Sequence, residues 1–395
     1  MESILLKDII QKPISGEWGL EDLYGTGIPV LRTANFTNEG IINFENVVTR
    51  NISPSKLKGK LLQKGDILLE KSGGSDRQPV GRVVYFDGQA DKYGFNNFTS
   101  ALRISDLTMW NPKYIFYALY DNYHHGGTRK YENKTTGLHN LKVDLFIRSF
   151  SVPYATLIKQ NEIVKKLDLL NHLENVCEVQ LQKLDELIKS RFLEMFGEPW
   201  VNDKEFPCYS VGQVAESVTY GTSAPASDSG QYEYLRMNNL TDNGQLDLSD
   251  LKRIDMSDEQ AEKYMVKKGD ILFNRTNSID LVGKTALFNL NNPMIIAGYL
   301  IRIRLSDKVN PVYFVAYMNM PYMKEKLRNI AKGAVNQANI NSKELKSIQI
   351  LIPPLSLQNE YCNFVLSIDK SKMAVQKSLD ELETLKKSLM QTYFG

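Results

Sequence analysis

The chain has 395 residues and a formal net charge of +2, from 48 Lys+Arg against 46 Asp+Glu. That length suits two or more domains, each able to bury its own core, and the near-neutral balance argues against a general nucleic-acid coat protein while leaving room for local basic surfaces. Three cysteines without a CxxC pair point away from a disulfide framework or zinc site and toward a reducing, cytoplasmic setting.

The start, Met1 to Asp8, has no basic segment followed by a long apolar run, so no signal peptide is expected. No window approaches the ~18 apolar residues of a membrane span. A short apolar element around Leu5 to Ile10 comes first, then a Pro/Gly-containing loop from Pro13 to Gly27. Ile28 to Arg32 reads as a strand, and Asn35 to Gly40 carries turn chemistry. Leu62 to Leu69 reads as a turn and a buried strand, followed by a glycine-rich polar loop, Lys71 to Gln78. Val80 to Phe86 is a further strand, and Pro112 to Tyr123 a helix rich in Tyr and Phe. A second polar, basic loop runs from Gly126 to Gly137, and Phe150-Ser151-Val152-Pro153 closes the segment.

From Gln160 to Gly197 an apolar stripe with spacings of three, four and seven marks a coiled-coil type helix. Its seam is Ile163, Leu167, Leu170, Leu181 and Leu184. The pattern returns in the same register from Gln358 to Gly395, with Tyr361, Val365, Ile368, Leu379 and Leu382. The globular segments repeat as well. Leu31-Arg32, Asn35, Thr37 and Gly40 match Leu235-Arg236, Asn239, Thr241 and Gly244, and Lys64-Gly65-Asp66-Ile67-Leu68 matches Lys268-Gly269-Asp270-Ile271-Leu272. The expected fold is α+β: two similar α/β domains, 1–155 and 198–354, each followed by a long helix, 156–197 and 355–395. Roughly 36 helical residues span on the order of 54 Å at 1.5 Å per residue, and the two helices are expected to pack as an antiparallel coiled coil with an internal pseudo-two-fold.

The polar loops diverge between the two halves. The first half offers Lys71, Ser72, Arg77 and Gln78, then Arg129, Lys130, Asn133 and Lys134. The second offers Asn274, Arg275, Thr276 and Asn277, then Lys332, Asn336 and Gln337. These are the side chains that read guanine and adenine edges in the major groove and hold phosphates; ordinary surface loops have similar compositions. Arg32 and Arg236 recur beside a strand, which favours a shared structural or phosphate role.

Motifs of catalysis are incomplete. Asp66, Glu70 and Lys71 have the wrong spacing for a nuclease site, and the matching second-half positions are Asn274 and Arg275. Gly283-Lys284-Thr285 lacks the earlier glycine of a P-loop. The four histidines have no ligand spacing. No catalytic or metal site is expected.

The paired motifs resemble the specificity subunit of Type I restriction-modification systems. The resemblance rests on both Leu-Arg-x-x-Asn copies, on Lys64 to Leu68, on Gly269 to Asn277 with Leu281 to Lys284, and on Pro353-Pro354-Leu355 with Gln358-Asn359-Glu360. The first half is looser at this junction, with a single Pro153. The resemblance spans essentially the whole chain. It implies two target recognition domains reading the halves of a split site in double-stranded DNA. It also implies helices that set the spacer, two methyltransferase subunits and motor-nuclease restriction subunits as partners, and no membrane. S-adenosylmethionine, ATP and Mg would sit on those partners, with no cofactor in this chain. Two alternatives stay open: a stand-alone DNA-modifying enzyme, and a coiled-coil scaffold binding proteins only.

Overall fold

The computed structural model describes residues 2–135, 138–334 and 337–395; at 134, 135, 138 and 332–334 it describes the backbone alone. The chain forms two compact units, Met1–Cys177 with Ser378–Gly395, and Glu178–Lys377. The fold is mixed α/β.

Each unit is built around one strand buried on both faces, Ile67–Glu70 in the first and Ile271–Asn274 in the second. In the first unit it lies inside an antiparallel sheet ordered Ile14–Ser15, Thr99–Leu102, Ile67–Glu70, Val83–Tyr85. Ile67 and Leu69 pack with Tyr114 and Phe146, while Leu68 packs into a separate cluster with Leu31 and Phe86. In the second unit Ile271 and Phe273 face one cluster and Leu272 the other. Burial of both faces explains why Ile67-Leu68-Leu69 and Ile271-Leu272-Phe273 run apolar without alternating.

The Lys-Gly-Asp motif before each strand is a folding device. Gly65 and Gly269 have φ of 96° and 97°, which a side chain would strain. The following carboxylate turns back: Asp66 accepts from the Gln63 amide at 2.8 Å and Asp270 from the Lys267 amide at 2.9 Å. Both aspartates are buried, and each is gripped by two guanidinium bonds of 2.8 and 2.7 Å, from Arg103 and Arg304 respectively. A buried carboxylate needs such a partner.

Leu-Arg-x-x-Asn is likewise structural. Asn35 and Asn239 are buried; each accepts from the amide of its preceding arginine, Arg32 at 2.9 Å and Arg236 at 2.8 Å. Arg32 Nη2 donates to the Asn46 carbonyl at 3.1 Å, and Arg236 Nη2 to the Asp250 carbonyl at 3.0 Å.

Two 40-residue helices, Leu157–Phe196 and Leu355–Phe394, follow the globular parts. Each unit contains the beginning of one and the end of the other. In the first, Ile163, Val164 and Leu167 pack with Met390, Tyr393 and Phe394 against the aromatic helix Pro112–His124. Phe394 meets Tyr114 in a tilted ring contact with centroids 5.1 Å apart. In the second, Phe192 and Phe196 pack with Tyr361 against Tyr313 of the helix Pro311–Asn319. Lys386 pairs with Glu174 at 2.7 Å in the first unit, and Lys372 with Asp185 at 2.6 Å in the second.

Of the seam residues, Ile163, Leu167, Leu170, Tyr361 and Leu379 are buried; Leu181, Leu184, Val365, Ile368 and Leu382 are half-buried.

Several local expectations shift. Ser72–Gly74, read as loop, is a strand, and so is Glu132–Thr135 within the second basic loop. The expected strand Val80–Phe86 shortens to Val83–Tyr85, because Gly81 stands at φ 109° and Arg82 turns toward Glu70.

Candidate nucleic-acid interface

The two polar segments of each half, about 60 residues apart in sequence, meet in one small antiparallel sheet. In the first unit its order is Glu132–Thr135, Leu138–Leu141, Ser72–Gly74. Asn140 in the central strand is flanked by Asn133 and Ser72, and the Leu141 amide donates to the Lys71 carbonyl at 2.8 Å. In the second unit the order is Thr276–Asn277, Gln337–Asn339, Lys332–Ala334. Asn339 is flanked by Thr276 and Lys332, and the Ile340 amide donates to the Arg275 carbonyl at 2.9 Å. Lys71 and Arg275 thus hold equivalent places beside the same strand.

Residues outside the sheet join it through tight packing. A side chain on Gly81 would collide with Thr128, and one on Gly283 with Leu327. The residues after these neighbours are Arg129 and Arg328. Arg129 Nη1 donates to the Asp76 carbonyl at 3.4 Å, which ties the Arg129–Lys130 turn to the loop holding Arg77 and Gln78. Arg328 Nε lies 4.0 Å from Asp280. Arg328 is therefore the counterpart of Arg129. No sequence motif marks it, because it sits inside a helix, Pro321–Ile330, that the first half lacks.

Exposure sorts the candidates. Arg77, Gln78, Arg129, Lys130, Asn133 and Gln337 are exposed, and Lys71, Ser72, Arg275 and Asn277 half-buried. Asn274 and Thr276 are buried, so the expectation of exposed loop positions is corrected for these two. Asn274 Oδ1 accepts from the Thr276 amide at 3.3 Å, and the Thr276 hydroxyl donates to Asn339 at 2.9 Å. Both brace the sheet instead of facing outward. Lys134 and Lys332 contribute backbone pairing alone to the description, and Asn336 lies outside the described residues.

The electrostatics differ between the sites. Burial pulls the Lys71 ammonium below its usual range; its Nζ donates to Ser15 at 3.0 Å. The Arg275 guanidinium lies 4.9 Å from the Tyr220 ring centroid, a cation–π contact. Beside the second site Lys324 is pushed down to about 8, chiefly by burial; Asp242 opposes this, and Lys284 and Arg328 add to it. Among the carboxylates near the first site, Glu70 is held by Arg82 through two bonds of 3.1 Å. No group of three or more metal-ligating side chains occurs among the described residues.

A family model described as the Type I restriction modification DNA specificity domain matches residues 204–384. The chain resembles this family over that segment. A Methanocaldococcus jannaschii protein provisionally named type I restriction enzyme MjaX specificity subunit is 29% identical over 185 residues. That match covers 46% of this chain and only 43% of the relative. The EcoKI specificity subunit of Escherichia coli K12 is 23% identical over 394 residues, 93% of this chain and 82% of the relative. The fold is that of the Type I restriction-modification S subunit of M. genitalium, with a TM-score of 0.59, 12% identity, and coverage of 100% of this chain and 96% of that one. No helix among the described residues is long and apolar enough to cross a membrane.

Proposed function

We propose that this chain reads a bipartite site in double-stranded DNA and gathers onto it the enzymes that modify and cut. The observation that carries this reading is the matched construction of the two small sheets. Each joins separated polar segments on one surface, with equivalent basic anchors, Lys71 with Arg129 and Arg275 with Arg328, but unlike neighbours. Equal scaffolds with unlike side chains suit two different half-sequences. Exposed Arg and Gln side chains supply base-edge donors and acceptors, while the lysines hold phosphates.

In this reading the two long helices form an antiparallel coiled coil about a pseudo-two-fold and set the unread spacer between the half-sites. The antiparallel ion pairs, Lys386–Glu174 and Lys372–Asp185, support it. The recognition domains would correspond to residues 1–155 and 198–354. Two methyltransferase subunits and the restriction subunits are its partners, working in the cytoplasm. S-adenosylmethionine, ATP and Mg belong to those partners, and this chain has no catalysis of its own.

The test is sequencing of methylated adenines in host DNA with and without this gene. A split motif should vanish on deletion, and exchange of 198–354 for another recognition segment should change one half-sequence while leaving the other. Loss of no motif in an active system, or turnover by the purified chain alone with DNA, Mg²⁺ and S-adenosylmethionine, would overturn the reading.

A further inference from the structure

Each long helix begins at a polar junction that is buried and built identically in both units. Gln160 and Gln358 have no exposed surface. Gln160 Oε1 accepts from the Asn111 amide at 2.8 Å; its Nε2 donates to the carbonyls of Met109 at 3.0 Å and Ala155 at 2.7 Å. Gln358 repeats this with the Asn310 amide at 2.8 Å and the carbonyls of Lys308 at 3.3 Å and Pro353 at 2.8 Å. Asn111 and Asn310 complete the set. Each donates to the next helix residue, Asn161 at 2.7 Å and Asn359 at 2.9 Å. Each also caps the aromatic helix of its unit, accepting from Lys113 at 2.8 Å and Val312 at 2.9 Å.

One amide side chain thus ties three backbone segments: the long helix, the chain entering it, and the start of the helix on which it packs. Only Gln or Asn carries both donors and an acceptor on one neutral side chain, and only Gln here spans the gap. An apolar helix root would bury as well but could slide or pivot; directional bonds with no spare partner cannot. The demand on that root is severe. A 40-residue helix is ~60 Å long, so a pivot of about 3° at one end displaces the other by ~3 Å, close to the ~3.4 Å rise of one base pair.

We propose that Gln160 and Gln358 are positioning residues that fix the angle between each long helix and its recognition domain, and thereby the spacer length the protein accepts. The proposal rests on the bipartite-reader function. A merely structural role would lower stability and overall activity, whereas a positioning role also widens the accepted spacers without changing the half-sequences.

The experiment co-expresses the full chain with its methyltransferase subunits and maps methylated adenines genome-wide. It compares wild type, Gln160→Ala, Gln358→Ala, the double variant, and Val84→Ala. Val84 is buried in a separate cluster of the first unit and supplies a control for lost stability. We expect the double variant to methylate the same half-sequences with spacers one base pair longer or shorter, at about tenfold or more above wild type, given that ~1 Å of misplacement can cost on the order of 100-fold. Asn161→Ala and Asn359→Ala remove one exposed bond each, cannot jeopardise folding, and should broaden the spacer in the same direction to a smaller degree. If wild type marks a split motif and these variants keep one spacer, or broaden no more than Val84→Ala, the proposal is overturned. If wild type marks no split motif, the bipartite-reader function falls first and this inference with it.

Discussion

Glu70 and Asn274 end matching strands, and their amides donate to matching carbonyls, Arg82 at 2.9 Å and Lys284 at 2.8 Å. Glu70 is paired with the Arg82 guanidinium. Replacing that glutamate with neutral Asn274 lets Lys284 turn away without stranding a buried charge; its ammonium instead lies 3.2 Å from Asp242. The second unit therefore gathers Lys284, Lys324 and Arg328. Lys324 is most easily discharged, at about 8 against an ordinary 10.5. A lysine lowered on folding opposes the folded state fully below its folded value, and the opposition fades as pH rises toward the unfolded value. Lys324→Met should therefore raise the thermal midpoint at pH 7, and the gain should shrink between pH 8 and 10.5. A gain that stays constant across that window would exclude Lys324 as its source. None of this was legible in sequence: Asn274 looked like a base reader because its type suited one, and burial is set by strands distant along the chain.

At the scale of elements, the small sheets explain both success and failure of the sequence reading. The doubly buried strands, the aromatic helix and the long helices announce themselves through apolar runs and heptad spacing. Ser72–Gly74 and Thr276–Asn277 do not, since short polar strands have no apolar face to alternate. Their pairing is non-local, and residue types in one segment say nothing about its neighbour across the sheet. Segments read as two separate loops are thus paired strands of one sheet. Arg129 and Arg328 test that surface. Substituting either by Ala should weaken DNA binding by the assembled complex, and lower the slope of log affinity against log salt by about one if the contact is to a phosphate. An unchanged slope with relaxed preference at one base position would assign the residue to base reading instead; no change in either would remove it from the interface.

For the molecule as a whole, the repeat was the most readable feature, because equal helix lengths and ordered anchor motifs survive divergence of the loops between them. What the repeat did not reveal was how compactness divides the chain, with each long helix shared between the two units. If those helices set the spacer, removing one heptad from each shortens them by ~10.5 Å, or about three base pairs at ~3.4 Å each. The methylated motif should keep both half-sequences and lose about three positions between them; a spacer of unchanged length would count against the helices as its measure.

The same division bears on how the protein is made. The second unit is one continuous stretch, Glu178–Lys377, whereas the first needs Ser378–Gly395 as well. At ~5–20 residues per second, the aromatic helix around Tyr114 waits for Phe394 through the synthesis of the entire second unit, for some tens of seconds. During that interval the nascent chain carries an open apolar face on its earlier half. The order of completion is the reverse of the order of synthesis, and a ribosome stalled before Ser378 would release a chain whose first unit is the unfinished one.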